Sequence, residues 1–338
     1  MNSKKKIFLT GGTGFVGQHL IRLLSSESSG YEIYTSCFPE STENWADFKA
    51  REGVKEVYYL DLRSEEDVFK VLNRIKPKWI FHLAAVSNVR CSWEKRREAL
   101  ETNLMGTFYL YEAARRIVPE ARTLFISSSD VYGYLKPMKK AYREKDRAGV
   151  VNPYAFTKVS GELLSELYSK TENMDIVIAR PFPHTGPGQS PDFVFSDWAR
   201  QISLIEKKRT EQGEDGSGPV RESSSPIIQV GNIETQRDYS DVRDVVRAYL
   251  LLMQKGRTGE IYNVCSGKAV ALKKILEILL SMSPCKIEVR TDPAKLRKAD
   301  IPYLAGNNQK IREETGWKPQ ISLEKSLRDL LNDWRDKI

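Results

Sequence analysis

The stretch that most constrains this chain is Lys6-Ile7-Phe8-Leu9-Thr10-Gly11-Gly12-Thr13-Gly14-Phe15-Val16-Gly17-Gln18-His19-Leu20, an apolar run that meets a cluster of glycines and then a helical pattern. An apolar run of this length reads as a buried strand. Glycine at these positions has a steric meaning. Gly11 or Gly12 lets the chain turn sharply off the strand, Gly14 lets backbone N–H groups approach a pyrophosphate, and Gly17 lets the helix pack on the sheet. The helix N-terminus, with unpaired N–H groups and the positive end of its dipole, then faces an anion. A dinucleotide fits that arrangement. Such turns also close ordinary βα units, so the rest of the chain decides between the two readings.

At 338 residues the chain is too long for one small core and suits two lobes. With 40% apolar and 29% charged residues it reads as soluble and globular. No run of ~18 apolar residues occurs, so no membrane association is expected. Lys4, Lys5 and Lys6 pass straight into the first strand without a signal-peptide core, which makes the cytoplasm the expected location. Cys37, Cys91, Cys265 and Cys285 are widely spaced with no C-x-x-C, which argues against a metal knuckle and a disulfide framework. No metal is expected. The formal net charge is +8, but the basic residues are scattered, with short runs only at Lys4–Lys6 and Lys207-Lys208-Arg209. That pattern reads as a solvated surface, not a nucleic-acid face, and leaves some cations for a polyanionic small molecule such as the diphosphate of a nucleotide sugar.

Strand and helix patterns alternate from there. A short helix through Leu20, Ile21, Leu23 and Leu24 leads to a second strand at Glu32–Cys37. Where an NAD-specific fold places an acid for the adenosine ribose, this chain has Ser36-Cys37; Glu32 lies too early and no arginine stands there. Either NAD or NADP is admitted, with a lean towards NADPH. A third strand, Val54–Leu60, ends in Asp61-Leu62, a helix spans Glu65–Ile75, and a fourth strand, Trp79–Ala84, ends in His82-Leu83-Ala84-Ala85. His82 inside this apolar strand reads as a packed core histidine. An amphipathic run, Lys95–Val118, carries Asn103, and a fifth strand, Thr123–Ser127, leads to Ser128-Ser129-Asp130-Val131-Tyr132-Gly133. This alternation predicts an α/β fold with a Rossmann-type, doubly wound parallel sheet.

Pro153-Tyr154-Ala155-Phe156-Thr157-Lys158 opens a further helix. Positions four apart share one helical face, so the Tyr154 hydroxyl and the Lys158 ammonium can occupy one site. A buried cation beside a phenol is expected to lower its pKa from ~10 towards working pH, giving a proton donor and acceptor. Y-x-x-x-K occurs by chance on many helices. Its position after a glycine-rich turn and a serine-ended strand makes the chemical reading the stronger one.

Taken together, Thr10-Gly11-x-x-Gly14-x-x-Gly17, Asp61-Leu62, His82-Leu83-Ala84-Ala85, Asn103, Ser127–Gly133, Tyr154-x-x-x-Lys158 and Arg237-Asp238-Tyr239 resemble an extended short-chain dehydrogenase/reductase of the nucleotide-sugar type. By that resemblance Tyr154 is the acid–base, Lys158 holds the nicotinamide ribose, Ser128 bonds the reacting sugar oxygen, and Asp130 is a further candidate acid. The implied cofactor contacts are Gly11, Thr13, Gly14, Phe15, Val16, Gly17, Ser36, Asp61, Leu62, Leu83, Ala84, Ala85, Asn103, Tyr154, Lys158, Pro181 and His184. The implied substrate contacts are Ser87, Ser128, Ser129, Tyr154, Phe193, Val194, Asn232, Arg237, Arg297 and Asp300. Residues 1–178 and 227–265 would form the NAD(P)-binding domain, and 179–226 and 266–338 the nucleotide-sugar lobe.

The second half is similar to GDP-6-deoxy-4-keto-mannose reductases at Pro181–Gln189, Arg237–Asp244, Tyr262–Gly267 and Gly316-Trp317-Lys318-Pro319. This implies a GDP-linked 4-keto-6-deoxy sugar, with Arg237 and Arg297 facing its phosphates and Asp300 the guanosine ribose. Pro183 departs from the family's usual Asn and removes an amide and a backbone donor. Asp130 occupies the place of the acid that drives dehydration in GDP-mannose 4,6-dehydratases, so dehydratase is the rival reading, with 4-epimerase behind it. A non-catalytic cofactor-sensing scaffold is a third class, opposed by the intact Ser128, Tyr154 and Lys158. Glu206–Pro226 reads as an inserted polar loop. Lys95–Val118 and Pro153–Ser169 correspond to the helices through which relatives pair by a four-helix bundle, so a homodimer is expected, with Leu104, Phe108, Tyr109 and Tyr111 as surplus apolar surface.

Overall fold

The computed structural model describes residues 4–27, 30–38, 45–133, 141–211, 225–296 and 301–338. β1 (Lys5–Thr10) runs through the glycine turn into α1 (Phe15–Ser26). Next come β2 (Tyr31–Cys37), α2 (Trp45–Glu52), β3 (Glu56–Tyr59), α3 (Glu65–Ile75) and β4 (Trp79–His82). The α3 boundaries follow from local chemistry: Ser64 caps the N-terminus by accepting from Asp67 N at 3.3 Å, three acids fill the first turn, and Lys76 ends the helix in the left-handed region at φ 51°. β3 and β4 are shorter than the apolar runs Val54–Leu60 and Trp79–Ala84. Their ladders stop at Cys37↔Tyr59 and Thr10↔His82, beyond which the chains leave the sheet.

The run Lys95–Val118 is not one helix. After α4 (Val89–Glu94) it divides into α5 (Arg96–Leu100), a π-helical turn (Glu101–Met105) and α6 (Gly106–Ile117). Gly106 opens α6 against the turn after β3, where a Cβ would lie 2.8 Å from Leu62 Cβ. β5 (Arg122–Ile126), a 3₁₀ turn (Ser129–Tyr132), α7 (Pro153–Thr171) and β6 (Ile176–Pro181) follow. Then come β7 (His184–Thr185), α8 (Val194–Glu211), β8 (Ile227–Val230), β9 (Gln236–Asp238), β10 (Ser240–Asp241) and α9 (Val242–Lys255). The chain finishes with β11 (Ile261–Val264), β12 (Ala269–Ala271), α10 (Leu272–Ser281), β13 (Glu288–Thr291), β14 (Tyr303–Leu304), α11 (Gln309–Thr315) and α12 (Leu323–Lys337). The expected loop at 206–226 is helical in α8 up to Glu211, and 212–224 lie outside the described residues.

Seven parallel strands form the main sheet in the order β11-β6-β5-β4-β1-β2-β3. The order reverses between β1 and β4, which opens a crevice beyond their carboxyl ends. Leu20, Ile21 and Leu24 of α1, Val245 and Tyr249 of α9, and Trp317 cover one face. Val68 and Leu72 of α3 and Leu110 and Tyr111 of α6 cover the other. Each such side chain taken fully out of water contributes ~2 kcal/mol. Tyr111 is therefore internal, bonded to Ser165 Oγ at 2.7 Å, and Phe108 and Tyr109 pack partly against the same cluster, so these three are not surplus surface.

A second core joins Trp198 and Ile202 of α8, Leu276 and Leu279 of α10, and Leu327 and Leu331 of α12. Ile228 and Val230 of β8 pack here, and β8 pairs with β13, so residues 227–230 side with the small lobe and not with the large one as expected. Conversely, Ile311 and Trp317 return to the large-sheet core. Trp317 Nε1 donates to the Asp244 carbonyl at 2.9 Å, and Gln320 N and Ile321 N both donate to Asp244 Oδ2 at 2.9 Å.

His82 ties three elements together, with Nδ1 2.8 Å from Thr10 Oγ1 and Nε2 2.9 Å from Thr107 Oγ1. Burial, then the charge of Lys158, lowers its pKa from 6.5 to about 3. It is the neutral core histidine expected from the apolar strand. Two outcomes are expected. A Cβ on Gly12 would lie 2.0 Å from Thr35 Oγ1, and one on Gly17 2.4 Å from Gly12 Cα. In urea unfolding, Gly12→Ala should cost about 2 kcal/mol, much of it recovered when combined with Thr35→Ala, whereas Gly17→Ala meets backbone and should gain nothing from Thr35→Ala. Because folded His82 takes up its proton only far below the ordinary value, the unfolded chain binds more protons at acid pH. The stability gap between the parent and His82→Asn should therefore narrow as pH falls from about 6.5 to 4; a pH-independent gap refutes the desolvation account.

Candidate active site

The glycine turn builds a groove at the crevice. Gly11 sits at φ +68°, and a Cβ there would lie 2.9 Å from Ala84 Cα, so the turn presses against the loop leaving β4. Ala84 N donates to Thr10 Oγ1 at 3.2 Å, which fixes Leu83, Ala84 and Ala85 alongside. Gly14 is the N-cap of α1 in extended conformation, with no side-chain cap and no acid in the first turn. The N–H groups at Phe15 and Val16 thus begin a helix whose end is left to an anion. Thr13 turns its carbonyl inward to accept from Gln18 Nε2 at 2.8 Å. A bare-backbone cradle that any Cβ would fill, closed by an uncapped helix end, fits a dinucleotide pyrophosphate.

At the adenosine end Ser36 is buried, and its Oγ accepts from Gly11 N at 3.2 Å. Half-buried Asp61 is gripped by Arg63, whose Nε lies 2.9 and 3.0 Å from the two carboxylate oxygens and whose Nη2 lies 2.7 Å from Oδ2. This fork holds the Asp61 carboxyl below its ordinary pKa. Leu62 is buried beside it. The Arg63 guanidinium carbon lies 5.5 Å from the centre of the Phe38 ring, just past β2. The structure therefore brings to the end of β2 an arginine that the β2 sequence itself lacks. Its only sequence signal is its place directly after Asp61-Leu62.

The chemical cluster lies across the crevice. Asn152 caps α7 by accepting from Ala155 N at 2.7 Å, with Pro153 in the first turn, and this sets half-buried Tyr154 at the helix mouth. Ser128 lies near its hydroxyl and lowers the phenol's pKa, and Ser128 Oγ accepts from Asp130 N at 3.1 Å. Of the neighbouring serines, Ser127 donates to Glu162 and Ser129 is buried in the 3₁₀ turn. Lys158 is buried, with Nζ donating to the Ile126 carbonyl at 2.7 Å and lying 5.7 Å from the centre of the Tyr154 ring.

Burial lowers the Lys158 pKa to about 8, opposed by the charge of Glu162. Tyr154 departs from the expected depression: burial first, then the Asp130 charge, raises it, and nearby Ser128 offsets this only in part. The physical reason is that Lys158 turns towards the Ile126 carbonyl, while the carboxylate of Asp130 sits on the phenol's side.

Asn103 belongs to the frame of this site. Its Oδ1 accepts from Val86 N at 2.7 Å and its Nδ2 donates to Thr157 Oγ1 at 3.0 Å, so the π turn locks the β4 loop to α7. Ser87 is exposed on that same loop. Pro181 is buried at the end of β6, and His184 stacks on Phe15 at 6.2 Å between ring centres. His19 Nε2 lies 2.8 Å from the Pro187 carbonyl and fastens this loop to α1. The remaining candidates lie on the small lobe: exposed Phe193, Val194 at the start of α8, Asn232 after β8, and Arg237 on β9, where Nη1 donates to the Gln236 carbonyl at 3.0 Å. Arg297 and Asp300 lie outside the described residues. Glu162 and Arg180, whose side chains pair behind the cluster, escaped the sequence reading, although Glu162 stands four residues after Lys158. Among the described residues no cluster of metal ligands occurs, and no helix is long and apolar enough to cross a membrane.

Residues 8–330 match the model of the GDP-mannose 4,6 dehydratase family. The GDP-6-deoxy-D-mannose reductase of Pseudomonas aeruginosa is 31% identical over 334 residues, covering 99% of this chain and 98% of that protein. A GDP-mannose 4,6 dehydratase of Drosophila melanogaster is 25% identical over 359 residues, covering 98% of this chain and 86% of that protein. Among solved structures, RMD from Pseudomonas aeruginosa complexed with NADPH has a TM-score of 0.81 at 30% identity, covering 99% of this chain and 100% of the other. The UDP-glucose 4-epimerase of Thermotoga maritima with UDP-glucose has a TM-score of 0.83 at 25% identity, covering 98% of this chain and 99% of the other. With nearly its whole length matched, its glycine cradle at the sheet reversal and its Ser128–Tyr154–Lys158 cluster across from it, the chain belongs to the GDP-mannose 4,6-dehydratase family.

Proposed function

We propose that this protein reduces the C4 ketone of a GDP-4-keto-6-deoxy-hexose to a GDP-6-deoxyhexose such as GDP-rhamnose, using NADPH. The observation that carries the reading is the grouping of Tyr154, Ser128 and buried Lys158, whose Nζ lies 5.7 Å from the centre of the Tyr154 ring, opposite the glycine cradle. Full-length similarity to a GDP-6-deoxy-D-mannose reductase supports the substrate class. The likeness to RMD from Pseudomonas aeruginosa complexed with NADPH, at 30% identity over 99% of this chain, supports NADPH.

A bound nicotinamide supplies the hydride that C4 receives. Tyr154 gives its hydroxyl proton to the carbonyl oxygen as charge develops there, and Ser128 holds that oxygen by hydrogen bonding. Lys158 steadies the resulting phenolate and returns it to the phenol by way of solvent. Burial keeps the Tyr154 phenol in the proton-bearing form that this step uses, and the charge developing on the carbonyl oxygen draws the proton across. A dehydratase or epimerase must begin by abstracting a proton from the substrate hydroxyl and needs the phenolate first. We assign Asn232 and Arg237 to the nucleotide and its diphosphate, together with Arg297 and Asp300, and the exposed Ser87 and Phe193 to the sugar end.

The second reading is GDP-mannose 4,6-dehydratase, favoured by Asp130 beside Tyr154. Incubation with GDP-4-keto-6-deoxy-mannose should oxidise one NADPH per sugar, followed by absorbance, and Tyr154→Phe should lose about 100-fold or more in kcat. Consumption of GDP-mannose without net cofactor turnover would instead establish the dehydratase, and turnover by Tyr154→Phe equal to the parent's would revive the scaffold reading.

We also propose a cytoplasmic homodimer. α5, the π turn and α7 present Leu100, Met105, Phe156, Leu163 and Leu167 to solvent, with Leu163 62% and Leu167 52% exposed. Phe156, Leu163 and Leu167 recur at a spacing that keeps them on one side of α7, and a second copy of the same face would bury them as a four-helix bundle. Leu163→Glu with Leu167→Glu should give a monomer by light scattering with an unchanged circular-dichroism spectrum; a monomeric parent protein refutes the assembly.

A further inference from the structure

We infer that Glu162, clamped by Arg180, is a positioning residue that supplies the counter-charge for buried Lys158 and anchors the serine strip after β5. The inference rests on the reading of Tyr154 and Lys158 given above. Tyr154, Lys158 and Glu162 stand at i, i+4 and i+8 of α7 and so share its inner face. The Glu162 and Arg180 side chains are only 8% and 6% exposed. Arg180 meets the carboxylate as a fork, Nε to Oε1 and Nη2 to Oε2, both at 2.7 Å. Ser127, the residue before Ser128, donates its hydroxyl to Glu162 Oε1. Arg180 Nη1 donates to Tyr132 Oη at 3.0 Å and to the Glu144 carbonyl at 2.9 Å, and Tyr132 donates to Asn263 Oδ1 at 2.7 Å. Both ends of the serine-bearing segment are thus tied to one buried ion pair.

Stability does not explain such a pair, because well-packed apolar residues of the same volume serve a core as well or better. Its effect falls on the lysine one turn earlier. The ionisable groups near Lys158 are Tyr154 and Glu162 from α7 and neutral His82 from β4, with the Phe125 ring and the Ile126 carbonyl on the β5 side. Burial drives the ammonium to release its proton, and Glu162 opposes that loss. Removing the carboxylate lowers the lysine pKa further, so the amine is neutral at the pH where the phenolate has to be steadied.

The test is a titration of the ligand-free protein carrying carbon-13 at the lysine ε position, with the Lys158 resonance assigned by its loss in Lys158→Arg. The parent should titrate near pH 8, and Glu162→Gln about one to three units lower. The alkaline limb of the kcat profile should move down by the same amount with KM little changed, and Glu162→Asp should restore most of both. Should Glu162→Gln fold poorly, Glu162→Gln with Arg180→Gln removes the unpaired cation and should keep the shift. A Lys158 midpoint within about 0.3 units of the parent in the folded variant overturns the inference. Full activity in Tyr154→Phe would end the acid–base reading alone, since the lysine titration does not depend on turnover.

Discussion

The whole molecule is built around a place where side chains are excluded. At the end of β1 the chain passes between β2, α1 and the β4 loop with so little clearance that Gly11, Gly12 and Gly17 are each in contact with a neighbour where a Cβ would otherwise sit. Thr35 reaches across to the Leu9 carbonyl at 3.0 Å and closes the space on the β2 side. This contact puts the start of α1 directly at the sheet reversal. A cradle of backbone amides and the fold's close packing are therefore one feature, and neither could be relaxed without the other.

The second determinant is burial of ionisable groups. In water a lysine beside a tyrosine would be charged and would favour the phenolate. Here burial presses both towards their neutral forms, and the carboxylates decide how far each goes. Asp130 adds to the effect on Tyr154, whereas Glu162 resists it at Lys158. The result is a phenol that holds its proton next to an amine kept close to its titration point.

How much of this could be read in the residues depends on the range of the interaction. The β1–α1 turn, α3 at Glu65–Ile75 and the start of α7 were legible because caps, glycines and periodicity act within a few residues. The break in Lys95–Val118 was not. It follows from Asn103 meeting Val86 and Thr157, which are 17 and 54 positions away, and from Gly106 meeting Leu62. The direction of the Tyr154 shift was misread for a similar reason, since the spacing of Tyr154 and Lys158 says nothing about which neighbour the ammonium turns to. Arg63 and Arg180 were invisible as site residues because their partners, Phe38 and Glu162, are brought to them by strand order and helix packing.

The Arg237-Asp238-Tyr239 motif separates into three physical roles. Asp238 is fully buried and accepts from Ser266 N at 2.8 Å, Ser266 Oγ at 2.6 Å, Gly267 N at 2.8 Å and Gly306 N at 3.3 Å. It therefore closes the junction between β9, the loop after β11 and the strand end at β14. Tyr239 packs on Phe195 of α8 at 4.5 Å between ring centres and belongs to the small-lobe core. Arg237, directly before these two fixed residues, is half-buried. A carboxylate with four internal donors makes the strand rigid at the position next to the arginine. The motif's acid and aromatic ring thus fix the backbone next to Arg237, the one cation of the three.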